Sequence, residues 1–225
     1  MHSENVCPLT AAVLLFVSLA AAQPTEAKVR TGVEVGLNYS TLVYERELPP
    51  WENGGRRLSL TAGTFLDVPM GGWASLVPGL RYVQQGNRIE YDTGPGAVRQ
   101  VGEFRVAQNY LSLPILVKLH VVRSRRFFVT LGPEVAYLVS AHLIVEEEVI
   151  AGTSVPRTEY DDILARMERM NLSLGGGVGL EFPMENHVGM VQLRYSEGLV
   201  GTAREIHWYS DWRTRGLEGL VGLRW

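Results

Sequence analysis

From Val29 to the terminal Trp225 the chain returns again and again to strict alternation between apolar residues and small or polar ones. Successive side chains of a strand point to opposite faces, so this period of two marks strands with one apolar face. In the first, Val29, Thr31, Val33, Val35, Leu37 and Tyr39 oppose Arg30, Gly32, Glu34, Gly36, Asn38 and Ser40. Similar runs follow at Leu58–Val68, at Ala74–Tyr82 (where Pro78 weakens the pattern), at Asn109–Val121 and at Phe127–Val145. Three more lie at Asn171–Phe182, Val191–Ser196 and Arg215–Trp225. The sum is eight strands, an even number, as a closed single-chain up-and-down barrel requires.

The connections alternate in length. Tyr44–Arg57, Gln84–Gln108, Glu146–Arg169 and Glu197–Thr214 are long, whereas Pro69–Gly72, Arg123–Arg126 and Pro183–His187 are tight. Long loops on one rim and short turns on the other is the build of a bacterial outer-membrane barrel. Within the third long connection, the apolar spacing of Tyr160–Met170 predicts a short amphipathic helix, read as a loop cap.

The start of the chain suits export. Leu9–Ala22 is an apolar run ending in small residues, shorter than the roughly 20 residues of a spanning helix, and reads as a signal peptide over residues 1–22. Its leading segment lacks the usual Lys or Arg. The barrel domain is then expected over 23–225. Cys7, the one cysteine, falls in the removed segment, so the mature chain has no thiol. Loss of Glu4 leaves 21 basic against 23 acidic residues, a net charge of −2, with no electrostatic case for nucleic acid.

Alternation alone does not say which face is inside. The non-apolar face carries charges of both signs: Glu34, Arg81, Lys118, Glu134, Glu181, Arg194, Glu218 and Arg224. Facing inward they would pair with one another, whereas lipid on the outside would tolerate none of them cheaply. Apolar-out also places Phe127, Phe182 and Trp225 near the short-turn rim and Tyr39, Tyr82 and Tyr195 near the long-loop rim, as two interfacial girdles. The closing strand, with Leu217, Val221, Leu223 and Trp225 in phase, looks like the terminal signal read by the barrel-assembly machinery.

Little in the chain points to chemistry. The string Gly175–Gly179 (GGGVG) lies in a strand with no helix after it, so it serves to relieve a crowded interior rather than to cradle phosphate. Ser140 and His142 share a face, and with Glu134 or an acid of Glu146–Glu148 they suggest a hydrolytic set, but by parity both point inward, away from lipid. The acids Glu146–Glu148 with Asp161 and Asp162 read as a solvated loop, and His120, His187 and His207 are scattered. The sequons at Asn38 and Asn171 lie in strands. No catalytic, cofactor or metal-ligating residue is assigned.

Several segments together resemble the PorT-like outer-membrane β-barrel proteins: Gly32–Asn38 (GVEVGLN), Tyr110–Lys118 (YLSLPILVK), Leu131–Leu138 (LGPEVAYL), Gly177–Phe182, Leu193–Leu199 and Gly219–Trp225. The resemblance implies a small eight-stranded barrel and no single activity. The expectation is an all-β, eight-stranded antiparallel transmembrane barrel of the bacterial outer membrane, with a structural or interaction role and no wide pore. Its expected partners are outer-membrane lipid, lipopolysaccharide and the assembly machinery. Two other readings stay open at this level: a lipid-modifying enzyme and a soluble periplasmic carrier barrel.

Overall fold

The computed structural model describes residues 28–44, 52–92, 99–121, 126–150, 157–201 and 212–225. The expected signal peptide lies outside them, as do parts of the long connections. The elements are β1 (Arg30–Tyr44), β2 (Glu52–Gly54), β3 (Arg57–Pro69), β4 (Ala74–Asp92), β5 (Arg99–His120), β6 (Phe127–Ile150), β7 (Arg157–Asp162), a single 3-10 turn (Leu164–Arg166), β8 (Met170–Pro183), β9 (Val188–Gly198) and β10 (Trp212–Arg224).

Eight of these close a barrel. Each of β3, β4, β5, β6, β8, β9 and β10 pairs antiparallel with its predecessor, and β10 returns to β1, which also pairs β3. Closure leaves no strand edge in the bilayer, where an unpaired N–H or C=O has no water to turn to. β4 runs straight through Pro78, with register kept from Ala74↔Leu119 to Asp92↔Val101.

The faces are sorted as a lipid environment demands. Val35 is 50% exposed and Leu193 51%, while their neighbours Glu34 and Arg194 are 6% and 3% exposed. A soluble carrier would invert this order, so the apolar face is the outer one. On β5 the outward apolar row runs from Leu111 to Leu119. At about 3.3 Å per residue and a tilt of about 40° it spans roughly 20 Å, close to the usual lipid-facing band. Tyr39, Tyr82, Tyr137 and Tyr195 face outward at the long-loop end of the band, and Trp73, Phe127, Phe182 and Trp225 at the other.

Beyond the band the structure departs from the sequence reading. Gln84–Gln108 is mostly not a loop: β4 and β5 continue paired well past the tyrosines, and β6 follows to Ile150. β2 joins the free side of β4 and β7 that of β6, so a five-stranded sheet in the order β2–β4–β5–β6–β7 stands outside the membrane. The helix expected over Tyr160–Met170 is absent. Tyr160, Asp161 and Asp162 instead pair with Ile144, Leu143 and His142 of β6, and only Leu164–Arg166 turns. Backbone hydrogen bonds offered by an existing sheet edge outweigh a helix too short to stabilise itself.

A second correction concerns β6. Between Asn109 and Tyr110 of β5 the β6 partner jumps from Ser140 to Leu138, so Val139 is an extra residue, a β-bulge. The bulge reverses the facing of everything after it. Ala141 (0% exposed) turns inward, and Ser140 and His142, expected inside, turn outward; His142 is exposed.

Candidate functional site: a two-tier ion-pair interior beneath an apolar cap

All eight charged residues of the non-apolar face lie buried inside the barrel. They form two tiers. In the middle tier Arg81, from β4, meets carboxylates from three other strands: Glu34 of β1 at 2.9 Å, Glu218 of β10 at 2.6 Å and Glu134 of β6 at 3.6 Å. Arg194 of β9 supplies the second cation, 3.4 Å from Glu34 and 3.9 Å from Glu218. Ser112 donates to Glu134. Two guanidiniums thus hold three carboxylates across the full width of the barrel.

The tier nearer the short turns rests on a residue the sequence reading passed over, Asp67 of β3, which is 2% exposed. Lys118 and Arg224 both bind Asp67. The same two cations reach Glu181 at 3.0 and 3.1 Å, closing a four-membered ring of alternating charge. His120 adds its Nε2 at 3.4 Å from Glu181. A cavity of about 190 Å³ opens below this ring, with Asp67, His120, Glu181 and Arg224 in its wall. Asp67 sits in phase with Ser59, Thr61 and Phe65 on the inner face of β3, and that parity is the signal that marks it.

Between the tiers Gln192 donates to Thr130 at 2.7 Å and accepts from Arg194 at 3.1 Å. Two inward phenylalanines fill the remaining space, each against a glycine of a neighbouring strand. A Cβ on Gly179 would lie 2.2 Å from the Phe128 ring, and one on Gly32 would lie 2.3 Å from Phe65. Gly32 and Gly179 therefore accommodate rings, whereas Gly175 and Gly176, in the same string as Gly179, meet none. Lys118 Nζ stands 5.7 Å from the Phe128 centroid, so even the ring faces a charge.

Above the middle tier the interior changes character. The turn after β7 folds back into the barrel mouth and seats Ile163 and Met167, each 3% exposed, against Leu42, Tyr110, Leu138 and Ala141. The inward flip of Ala141 by the bulge supplies part of that wall. Asn38 and Asn171, the sequon residues, lie buried just below, donating to the Gln84 carbonyl at 2.7 Å and to Thr214 at 3.0 Å. No glycan could be built on either.

Outside the membrane the exposed face of the sheet carries its own ion pairs. Arg88 reaches Glu103 at 2.6 Å and Glu90 at 3.2 Å, and Arg105 binds Glu103 and, at 3.3 Å, Glu146. Burial pushes the Glu103 carboxyl up, but hydrogen bonds and charge from Arg105 and Arg88 outweigh it and hold it below the usual range. On the same long-loop rim, across β9 and β10, Arg215 grips Glu197 through two hydrogen bonds, 2.8 and 2.7 Å, holding that carboxyl low as well. Glu146, read as part of a solvated loop, lies instead on β6 as an arginine partner. Ser140 accepts a hydrogen bond from Asn109 at 2.7 Å. Among the described residues no cluster of three or more His, Cys, Asp or Glu is placed to hold a metal ion.

The terminal strand shows Leu217, Val221 and Trp225 exposed on the lipid side, with Leu223 half-buried in the same row. Trp225 is anchored by a backbone hydrogen bond from its N–H to the Thr31 carbonyl at 3.0 Å, across the β1–β10 seam.

A closed, apolar-out barrel with a charged, filled interior is a transmembrane β-barrel. The chain belongs to the family described as outer membrane protein beta-barrel domain, whose model matches residues 21–203. It is accordingly a protein of the bacterial outer membrane. Among solved structures it is similar to the attachment invasion locus protein Ail of Yersinia pestis, at 12% identity over 88% of this chain and 99% of that one, with a TM-score of 0.39. It is similar also to Neisserial surface protein A, at 12% identity over 86% and 95% with a TM-score of 0.39. OprG of Pseudomonas aeruginosa matches at 8% identity over 88% and 95%, with a TM-score of 0.44. No curated protein matches the chain.

Proposed function

We propose that the barrel is a sealed, non-catalytic scaffold whose task is to hold the five-stranded outer sheet and its connections at the cell surface, where they bind an outside partner or surface component. The observation that carries this reading is the filling of the lumen. Two tiers of ion pairs reach from wall to wall, and the Ile163–Met167 turn stops the mouth above them. With eight strands there is room for side chains only. Solute passage would require breaking buried ion pairs at several kcal/mol each. Within the family, we place the chain with the PorT-like barrels, supported by the motifs of β1, β5 and β6.

A lipid-modifying enzyme fits less well. The bulge turns Ser140 and His142 towards the outside, as such an enzyme would need, yet the Ser140 hydroxyl is engaged by Asn109. The test is conductance of the purified barrel in planar bilayers, run beside lipid A hydrolysis by the same preparation. Steady open-channel current, or hydrolysis lost in His142→Ala, would overturn the reading.

A further inference from the structure

The lower ring of ion pairs is complete in charge but incomplete in hydrogen bonds. Lys118 and Arg224 each reach both Asp67 and Glu181, so two cations meet two carboxylates and neither acid calls for a metal ion. Yet Asp67 Oδ1 and Arg224 Nε, on side chains 2% and 7% exposed, have no hydrogen-bond partner. An unpaired buried donor or acceptor is unfavourable, so these two atoms mark where an incoming group would be held. Both residues stand in the wall of the cavity at the short-turn rim, about 190 Å³ in volume, together with Arg30, Ser75, His120 and Glu181. That is space for several ordered waters or for one terminal residue of a peptide.

Arg30 adds the remaining charge. It lies directly across the β1–β3 ladder from Asp67, is exposed at the cavity mouth, and among the described residues has no ion-pair partner. The wall therefore carries one positive charge in excess of the balanced ring, which suits a monoanion. A bare anion would leave Asp67 Oδ1 facing it with no proton between them. A ligand that meets both needs has a carboxylate for the guanidiniums and, close beside it, an N–H for Asp67. That is the chemistry of a peptide C-terminus, where the terminal carboxylate and the N–H of the same residue share one Cα. Room for the preceding residues is at hand. A Cβ on Gly71 or Gly72, both in the cavity wall, would meet nothing within 4 Å.

We propose that the cavity at the short-turn rim, the periplasmic side of such a barrel, is a binding site for the free C-terminus of a peptide. Its carboxylate is received by Arg30 and Arg224 Nε, and its terminal N–H donates to Asp67 Oδ1. Planar guanidiniums suit the two oxygens of a carboxylate. The buried acid beside them selects a terminus that carries an N–H over a simple anion. The site lies across the membrane from the outer sheet, so it and the scaffold role stand or fall separately.

The experiment uses the full-length barrel, isotope-labelled, in phosphatidylcholine nanodiscs, and follows the Gly71 and Gly72 amide resonances as N-acetylalanine, a minimal C-terminus, is added. Saturable shifts in the millimolar range are expected of so small a ligand. Propionate has the carboxylate without the N–H, and N-acetylalanine amide has the N–H without the carboxylate. Each is expected to bind at least about 10-fold more weakly, the effect of losing one charge-assisted hydrogen bond. Arg30→Gln is expected to weaken N-acetylalanine by about the same factor. Lys28→Gln removes equal charge from the same rim outside the cavity wall and is expected to keep the affinity. Heat-modifiable gel migration verifies that each variant barrel is folded. Equal loss in the two variants would reduce the effect to bulk charge and overturn the site. Propionate or the amide binding as well as N-acetylalanine would overturn the C-terminus as ligand. No saturable shift in the parent barrel would leave the cavity to water and overturn the proposal outright.

Discussion

Removal of the Arg81 guanidinium is the sharpest probe of the interior. Arg81 is 1% exposed and is the cation common to Glu34, Glu134 and Glu218. In Arg81→Met one cation, Arg194, faces three buried carboxylates, and it touches only Glu34 and Glu218. Breaking a buried pair from one side costs about 3–5 kcal/mol because the abandoned charge stays desolvated. Here three acids lose their main partner, so a loss of at least about 4 kcal/mol is expected, capped by protonation of one acid. Urea unfolding in phospholipid vesicles, followed by tryptophan fluorescence and checked by gel migration, measures it. Adding Glu134→Gln and Glu218→Gln leaves Arg194 balanced against Glu34, which it already contacts, and should recover more than half the loss. A variant Arg81→Met within about 1 kcal/mol of the parent, or a triple variant no better than the single one, would refute the ion-pair account.

Three further outcomes follow from the structure. Gly179→Val drives a side chain into the Phe128 ring and should cost about 1–3 kcal/mol or more, eased by Phe128→Leu in the same chain; unfolding midpoints of the single and double variants decide it. Met167→Glu buries a lone charge in the mouth and should free the Ile163–Met167 turn, read as faster proteolysis there with bilayer current still at baseline, because the tiers below stay closed. The Glu197–Arg215 pair, with a carboxyl held low, contributes stability above the unfolded carboxylate value of about 4.3 and loses it as pH falls through the lower folded value. The unfolding midpoint should therefore hold between about pH 8 and 5 and drop below about pH 4, by a slightly smaller step in Arg215→Gln, since the pair is well exposed to solvent.

Inside the membrane the sequence was easy to read, because lipid enforces one rule on every outward residue. That is why Glu34, Arg81, Arg194 and Glu218, on four different strands, are legible as inward from parity alone. Asp67 obeys the same parity, but as a single acid between Leu66 and Val68 it drew no notice. Above the membrane the rule lapses. Arg88, Glu90, Glu103 and Arg105 face water from strands as regular as any below, yet mixed polarity on both faces reads as loop. The bulge at Val139 has no glycine or proline to announce it, so the reversal of Ser140 and His142 was invisible. In the turn after β7, Ile163 and Met167 have the spacing of a helix stripe and do share one environment, but a tight turn brings them there.

The reach of the buried ion pairs bears on how the barrel is made. Arg194 and Glu34 are 160 positions apart and Arg224 and Asp67 157 apart, and each pair joins an early strand to a late one. A strand that slid into lipid alone would carry its charge bare, at several kcal/mol for each ion. Partial assemblies of β1 to β6 would keep Arg81 on Glu34 and Lys118 on Asp67 but lack Arg194 and Arg224. The early strands thus pair in part among themselves, and the network is completed only when β9 and β10 bring Arg194, Glu218 and Arg224. That completion depends on the β1–β10 seam, where Trp225, hydrogen-bonded across it to Thr31, is the latch.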